Sequence, residues 1–135
     1  MKVEVRNYDV DDFSSVRDII KEAFDVEMIG DINNSNSRGI VACIDSKVIG
    51  FLLLTKMFDS IIMKNYYLID YVSVKKDYQN MGIGYRLINE AEKIARADSA
   101  IYLQLTSSRF RVAARNLYEK CGFVVRDSDI FRKVL

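Results

Sequence analysis

One segment constrains the fold of this chain more than any other, the stretch from residue 66 to residue 105. It opens with an apolar strand pattern over residues 66–74, and a polar loop containing Gly82 and Gly84 follows. An amphipathic helix comes next, and its apolar face consists of Leu87, Ile88, Ala91, Ile94 and Ala95. Residues 100–105 then read as a second strand. A strand, a helix and a second strand in this order predict a parallel strand pair joined by a crossover helix.

The first half of the chain predicts a helix and antiparallel strands. Residues 3–7 alternate in polarity and predict a first strand, and Asp9 is placed to cap a helix. The apolar positions of that helix are Phe13, Val16, Ile19, Ile20, Ala23 and Phe24. Residues 40–44 and 48–55 flank a short polar turn and predict a hairpin. The loop of residues 30–37 is typical of a surface segment or of a flap over a substrate.

The end of the chain predicts one more helix and two more strands. The helix runs from Ser107 or Ser108 to about Lys120, and residues 123–126 and 130–134 follow it as strands. Together the elements predict a mixed α/β fold that forms a single domain over all 135 residues. Its central sheet would be mostly antiparallel with one parallel pair, and helices would cover both faces.

The chain contains no histidine, which removes several classes of chemistry. Ser-His-Asp and Cys-His catalysis are impossible, and most zinc and non-haem iron sites lose a usual ligand. The two cysteines, Cys43 and Cys121, match no metal-binding or redox spacing. A general base must therefore be a carboxylate, a tyrosine, a lysine, a cysteine or water, and we expect no bound metal to be required.

The charges of the chain nearly cancel, with 20 Lys and Arg against 19 Asp and Glu. Binding to nucleic acid or broadly to a membrane surface needs a basic excess, so neither partner is expected. The apolar runs are far shorter than the roughly 20 residues that span a bilayer, and the first residues do not resemble a signal peptide. We therefore expect a soluble cytoplasmic protein.

The glycine-rich turn predicts an anion site. Main-chain N–H groups of residues 79–85 lie near a helix N-terminus, where they lack intrahelical partners and the helix dipole favours negative charge. The turn is not a Walker A loop, because Tyr85 follows Gly84, and it lacks the third glycine of a dinucleotide fingerprint. From these residues alone, a helix opened by glycine with no ligand stays an alternative.

Two motifs together resemble those of the GNAT acetyltransferase superfamily. The first is Gln79-x-x-Gly82-x-Gly84 after the predicted fourth strand, and the second is the stretch LYEKCGF over residues 117–123. Their spacing and the predicted order of elements match the family, most clearly from residue 66 to the end. The resemblance implies that the fourth and fifth strands splay apart, so that unpaired main chain faces a ligand.

The resemblance implies acetyl-CoA as cosubstrate. The main chain of Val72, Ser73 and Val74 would pair with the pantetheine arm as with a neighbouring strand. Arg111 stands where many members of the family carry an asparagine that touches the pantetheine. The pyrophosphate would lie on the turn and helix start formed by Gln79, Asn80, Met81, Gly82, Ile83, Gly84 and Tyr85.

The resemblance also implies a catalytic role for Tyr118. It occupies the position from which a tyrosine protonates the departing thiolate in many members. A phenol can deliver that proton as thiolate charge develops. A tyrosine of the core is the alternative, because Ala114, Tyr118 and Cys121 share one face of the predicted helix.

The general base is less clearly marked than the acid. Some members have a glutamate at the end of the fifth strand, where this chain has Thr106. The fourth strand often carries an acidic pair, and Ile69 replaces its first member here. Asp70 is therefore the candidate base, directly or through water, and a hydrogen-bonded structural carboxylate is the alternative.

These features predict an N-acetyltransferase that moves an acetyl group from acetyl-CoA to a primary amine in a ternary complex. The patterns over residues 105–119 and 131–135 together resemble a branch that acetylates small amines, which favours a small-molecule acceptor. Transfer to a protein N-terminus or lysine and a non-catalytic acyl-CoA-binding module stay as alternatives. The resemblance also implies a homodimer, with Phe131 and Val134 of the last predicted strand available to pair between subunits.

Overall fold

The computed structural model describes residues 2–32 and 36–135. Residues 33–35, part of the loop predicted over residues 30–37, lie outside this description. The helices and strands are β1 (Val3–Asn7), α1 (Phe13–Phe24), β2 (Ser37–Ile44), β3 (Lys47–Asp59), β4 (Lys64–Val74), α2 (Ile83–Ala97), β5 (Leu103–Leu105) and α3 (Val112–Lys120). Short 3-10 turns, Val10–Asp12 and Lys76–Tyr78, come before α1 and α2.

Within the described residues, the strands form a five-stranded sheet in the order β1-β2-β3-β4-β5. The pairs from β1 to β4 are antiparallel, and β5 runs parallel to β4. The turn between β2 and β3 has left-handed φ values of 50° at Asp45 and 65° at Ser46, which is typical of a two-residue type I′ hairpin. The predicted mixed sheet, its parallel pair and the predicted hairpin are confirmed.

The helices α1 and α2 cover opposite faces of the sheet. Alternate side chains of β2 divide between the two faces: Ile40 packs in the cluster that contains α2, and Val41 packs in the cluster that contains α1. β3 is apolar on both faces, because Leu52 belongs to the first cluster and Phe51 to the second. The predicted arrangement with helices on both faces is therefore confirmed.

A partly buried ion pair holds the start of α1 against β1. The Arg6 guanidinium donates to the two carboxylate oxygens of Asp12 at 2.7 and 2.9 Å, and the Asp12 side chain is only 8% exposed. The same carboxylate accepts from the main-chain N–H of Asp9 at 2.8 Å. Hydrogen bonding from Arg6 lowers the pKa of the Asp12 carboxyl below its usual range. Asp9 caps the 3-10 turn rather than α1 itself.

Two boundaries near the end of the chain differ from the prediction. β5 is shorter than predicted and begins at Leu103. The Ala100 N–H still bonds to the Ala95 carbonyl of α2, and Ile101 and Tyr102 make single main-chain bonds to Asn65 and Tyr67 of β4 before the regular strand begins. α3 begins at Val112, because the residues predicted as its start form a separate turn. In that turn the Ser108 carbonyl accepts from the Arg111 N–H at 3.1 Å.

The strands predicted at residues 123–126 and 130–134 are wrong, because this part of the chain has no regular secondary structure. The sheet ends at β5, so no strand pairs with these residues, and an isolated hairpin is only marginally stable in water. Most of their large apolar side chains are exposed. An ion pair of 3.4 Å between Arg109 and Asp129 connects residues 123–135, here named the C-terminal segment, to the loop before α3.

Candidate active site

The two parallel strands separate at one end of the sheet. β5 stops where Leu105 meets Ile69, whereas β4 continues to Val74. Beyond Ile69, no strand among the described residues lies beside β4 on the side of β5. An unpaired strand edge can bind an extended ligand that carries amide groups. The opening expected between the fourth and fifth strands is therefore present.

A bulge in β4 lies at this opening. Asp70 is opposite Leu53 and Ser73 is opposite Phe51, so β4 has two residues where β3 has one. One of them, Tyr71, has a left-handed backbone with a φ of 56°. The Ser73 side chain is buried, and its hydroxyl donates to the Tyr71 carbonyl at 3.0 Å. Since a bulge re-aims the strand around it, the Ser73 side chain supports the bulge and leaves only its main chain for a ligand.

A cavity of about 440 Å³ occupies the opening. Its walls come from α1, β4, β5, α3 and the C-terminal segment. The lining residues are Phe24, Val26, Ile69, Asp70, Tyr71, Val72, Leu105, Thr106, Ser107, Arg111, Tyr118 and Arg132. Four of the predicted site residues meet there, namely Asp70, Val72, Arg111 and Tyr118, whereas residues 79–85 do not line this cavity.

Tyr118 lies on α3 with its ring half-buried. The Phe123 ring packs against it edge to face, with 6.2 Å between centroids. Burial raises the pKa of the Tyr118 phenol above its ordinary value, although the nearby Arg111 charge acts in the opposite direction. The phenol therefore keeps its proton through the neutral range and is available as an acid in the cavity.

Asp70 lies on β4 beside the bulge. Its side chain is open to the cavity and to solvent, yet partial desolvation by the walls raises the pKa of its carboxyl. None of the described residues gives this carboxylate an ion pair or a hydrogen bond. A carboxylate without a partner and with a raised pKa can accept a proton or hold an ammonium group. The alternative of a hydrogen-bonded structural carboxylate therefore has no support in these contacts.

Arg111 lies just before α3 and reaches across the cavity to α1. Its guanidinium carbon lies 4.9 Å from the centre of the Phe24 ring. The Phe24 ring in turn meets the Tyr71 ring edge to face, with 5.4 Å between centroids. Stacking on an aromatic face orients a guanidinium and leaves its N–H edge free. The side chain predicted to touch pantetheine thus points to the α1 wall of the cavity.

The glycine-rich turn connects β4 to α2. The Gln79 side-chain amide donates to the Val74 carbonyl at 3.1 Å. Asn80 and Gly82 both have left-handed backbones, with φ values of 63° and 76°. α2 begins at Ile83 without a side-chain cap and without an acidic residue in its first turn, and the Ile83 side chain itself is buried in the core. The first main-chain N–H groups of α2 are therefore left for a ligand.

The two glycines of the turn have different surroundings. A Cβ on Gly82 would meet no atom within 4 Å, so the space in front of it is open. A Cβ on Gly84 would lie 2.8 Å from the Leu117 side chain of α3. Gly84 therefore lies at the contact between α2 and α3, where a Cβ would force the end of the Leu117 side chain to move. The space in front of Gly82 is open to an approaching ligand.

Gly84→Ala is expected to lower the free energy of unfolding by about 1 kcal/mol, because its Cβ overlaps Leu117 and the leucine must change position. Thermal denaturation should show a fall in Tm of roughly 3 to 5 °C. Gly30→Ala is the matched control, since a Cβ there would meet nothing within 4 Å. Equal Tm values for the two variants would contradict the packing role of Gly84.

Phe24 and Arg132 line the cavity but were not predicted as site residues. Phe24 is the last apolar position of the α1 stripe, so the periodicity assigned it to the core. Arg132 belongs to a stretch predicted as a strand, and although that stretch is part of the resemblance to the small-amine branch, no role in the site was predicted for this residue. Only the packing of α1 and the course of the C-terminal segment reveal their positions.

Other kinds of site find no support in the described part of the chain. No group of three or more potential metal ligands occurs there. The same residues include no helix long and apolar enough to cross a bilayer.

Comparison with known proteins identifies the fold and the family. The sequence matches the acetyltransferase (GNAT) family over residues 3–123. It is 28% identical over 116 residues to the uncharacterized N-acetyltransferase YhfO of Bacillus subtilis strain 168, covering 82% of this chain and 78% of that protein. It is 27% identical over 101 residues to a streptothricin acetyltransferase of Escherichia coli, covering 75% of this chain and 55% of that protein.

A solved structure agrees with the fold. The crystal structure of the aminoglycoside acetyltransferase meta-AAC0020, from an uncultured soil metagenomic sample, matches with a TM-score of 0.89 at 17% identity. The match covers 98% of this chain and 96% of that one, and it speaks for the fold alone. With the family match over most of the chain, the protein belongs to the GNAT acetyltransferase family. It is an N-acetyltransferase, as its motifs predicted.

Proposed function

We propose that this enzyme moves the acetyl group of acetyl-CoA to a primary amine of a small molecule, by direct attack within a ternary complex. The observation that carries the proposal is a single cavity that joins the open edge of β4 to the Tyr118 phenol. A thioester laid along that edge would place its carbonyl in the cavity beside the phenol. All 135 residues are proposed to act as one domain in this reaction.

The cosubstrate is proposed to lie across the end of the sheet. Its pantetheine arm would pair with the main chain of Val72, Ser73 and Val74, which no strand of the described residues covers on that side. Its pyrophosphate would lie on the main-chain N–H groups at the start of α2, with the open space before Gly82 as the approach. Met81 and Tyr85 flank the turn with exposed side chains.

The proposed reaction needs one acid and one base. The amine nitrogen attacks the thioester carbonyl carbon, and main-chain N–H near Val72 stabilises the charge that develops on the carbonyl oxygen. The carbon–sulfur bond then breaks, and the departing thiolate takes the proton of the Tyr118 hydroxyl. The amine loses a proton to Asp70, directly or through water. Asp70 then releases this proton to solvent, and solvent returns a proton to the Tyr118 phenolate.

The acceptor is proposed to be small. A cavity of about 440 Å³ must hold both the acetyl group and the amine. Acidic groups after α1, which would attract a basic peptide, are engaged elsewhere: Asp25 and Glu27 contact Lys21 at 2.9 and 3.6 Å, and Asp31 accepts from Tyr8. None of these acids lines the cavity. The streptothricin acetyltransferase compared above is named for a small molecule, which also favours a small acceptor.

Titration with acetyl-CoA and measurement of thiol release across an amine panel test this proposal. Gly82→Val is expected to raise the Kd for acetyl-CoA by at least about 10-fold, because a β-branched side chain fits a φ of 76° poorly and fills the open space. Gly122→Val is the matched control, since Gly122 has a φ of 90° and open surroundings outside the turn.

Three results would contradict parts of the proposal. An unchanged Kd in Gly82→Val would remove the turn from the cosubstrate site. Binding of acetyl-CoA without thiol release from any amine would indicate a non-catalytic acyl-CoA-binding module. Faster release with peptides than with small amines would indicate a protein acceptor.

The cellular location and the oligomeric state of the enzyme are proposed as well. We propose a cytoplasmic homodimer, in which the exposed apolar side chains of the C-terminal segment, including Phe131 and Val134, are covered by the second subunit. Sedimentation equilibrium at micromolar concentration distinguishes the dimer from the monomer.

A further inference from the structure

The charged groups that line the cavity are two cations and one anion. They are Arg111, Arg132 and Asp70. Among the described residues, neither arginine has an ion pair with a carboxylate. The Arg111 guanidinium makes a cation–π contact with the Phe24 ring. A site of this composition carries a net positive charge beside a single carboxylate.

Acids on the neighbouring elements do not neutralise the two arginines. Glu22 of α1 accepts from the main-chain N–H of Lys76 at 3.0 Å. Asp25 and Glu27, after α1, both contact Lys21. Asp129 of the C-terminal segment pairs with Arg109. The guanidinium groups of the cavity are therefore available to a ligand.

The position of Arg111 suits an oxyanion. Its guanidinium carbon lies over the Phe24 ring, 4.9 Å from the ring centre, and the Tyr71 ring meets Phe24 edge to face. Among the described residues no carboxylate or carbonyl accepts from the Arg111 side chain, so its N–H groups can bind two oxygens of a carboxylate or phosphonate. A group oriented before the ligand arrives loses less entropy on binding.

We propose that the acceptor is a small amine that also carries an oxyanion, held with its oxyanion on Arg111 and Arg132 and its amine toward Asp70. The inference rests on the proposed function and narrows its acceptor. The two guanidinium groups repel acceptors with several positive charges, whereas a zwitterion matches the cations and the carboxylate of the cavity. A carboxylate and a phosphonate share this chemistry, and the experiment separates them.

The test uses acceptors that differ by one charge. Thiol release from acetyl-CoA is measured with β-alanine, with β-alaninamide and with an aminoalkylphosphonate of the same chain length. We expect kcat/KM for β-alanine or the phosphonate to exceed that for β-alaninamide by at least about 10-fold, the size of a charge-assisted hydrogen bond lost. The amine of β-alaninamide is less basic than the amines of the two acids, so a larger fraction of it is unprotonated at a given pH. This difference favours the amide and cannot produce a preference for the acids.

Variants assign the preference to the arginines. In the double variant Arg111→Gln with Arg132→Gln, the ratio of kcat/KM between acid and amide should fall to within about 2-fold of unity. Arg96→Gln is the matched control: Arg96 pairs with Glu92 on the outer face of α2 at 2.9 Å, and it should keep the wild-type ratio. In the wild type, the acid with the larger kcat/KM relative to β-alaninamide, the carboxylate or the phosphonate, carries the preferred oxyanion.

Several outcomes would overturn the inference. A kcat/KM for β-alaninamide equal to that of both acids would contradict it. A double variant that keeps the wild-type ratio of kcat/KM between acid and amide would also contradict it. A weaker Kd for acetyl-CoA in Arg111→Gln with an unchanged ratio would assign Arg111 to the cosubstrate instead. Absence of thiol release with every acceptor, while acetyl-CoA still binds, would overturn the proposed function and this inference together.

Discussion

Replacing Tyr118 with phenylalanine is expected to lower kcat by about 100-fold, the lower range for loss of a general acid. The phenylalanine keeps the ring that packs on Phe123 and lines the cavity, so the Kd for acetyl-CoA should stay within about 2-fold of wild type. Steady-state kinetics and calorimetry measure the two quantities separately. The loss in kcat arises because the thiolate must then leave without a proton.

The pH dependence offers a second check on Tyr118. Since burial raises the pKa of its phenol, the acid form persists from neutral pH to above the ordinary pKa of tyrosine. The midpoint of any fall in kcat caused by loss of this proton should therefore lie above the ordinary pKa of tyrosine, about 10. Tyr102→Phe is the control, because Tyr102 stacks on Tyr66 outside the cavity. Equal kcat in Tyr118→Phe and Tyr102→Phe would remove the phenol from the mechanism.

Replacing Asp12 with alanine should lower the free energy of unfolding by about 2 to 3 kcal/mol. The change removes two charge-assisted hydrogen bonds from Arg6 and the acceptor for the Asp9 N–H. It leaves the Arg6 cation with the exposed Glu4 carboxylate at 3.6 Å and the Asn7 carbonyl at 3.0 Å. The Arg6 side chain is 35% exposed, so water recovers part of the loss. Urea denaturation followed by circular dichroism measures the difference.

The same carboxylate predicts a pH dependence of stability. Its folded-state pKa lies below the unfolded value, so the Asp12 contribution is fully present above about pH 4 and fades as the pH falls through the folded pKa. The gap between wild type and Asp12→Ala should therefore narrow in acid. Asp18→Ala, which removes an exposed contact of 3.4 Å to Arg17, should change stability by less than about 0.5 kcal/mol. A comparable loss in both variants would show that the burial of Asp12 has no special effect.

Local patterns predicted most of the fold because its elements are strongly periodic. The stripe from Leu87 to Ala95 and the hairpin around Asp45 each follow from contacts close in sequence. The C-terminal strands were wrong for the opposite reason. A strand needs a neighbour, and the alternation of apolar residues in the C-terminal segment does not show whether β5 provides one.

The candidate site was predictable in part. The motifs marked Tyr118, the turn and the open edge of β4, and the structure brings Asp70, Val72, Arg111 and Tyr118 to one cavity. The rest of the cavity wall was not predictable, because Phe24 and Arg132 reach the cavity only through the placement of α1 and the C-terminal segment. Such side chains come from elements far apart in sequence and share no motif.

The contact between Gly84 and Leu117 links the two halves of the proposed reaction. Gly84 belongs to the helix start assigned to the pyrophosphate, and Leu117 is the neighbour of Tyr118 in the chain. In the proposed mechanism, direct van der Waals contact between two helices would therefore fix the span between the diphosphate and the Tyr118 hydroxyl. Sequence changes in α1 or the C-terminal segment can alter which amine is accepted while that span, and with it the bond-breaking step, stays the same.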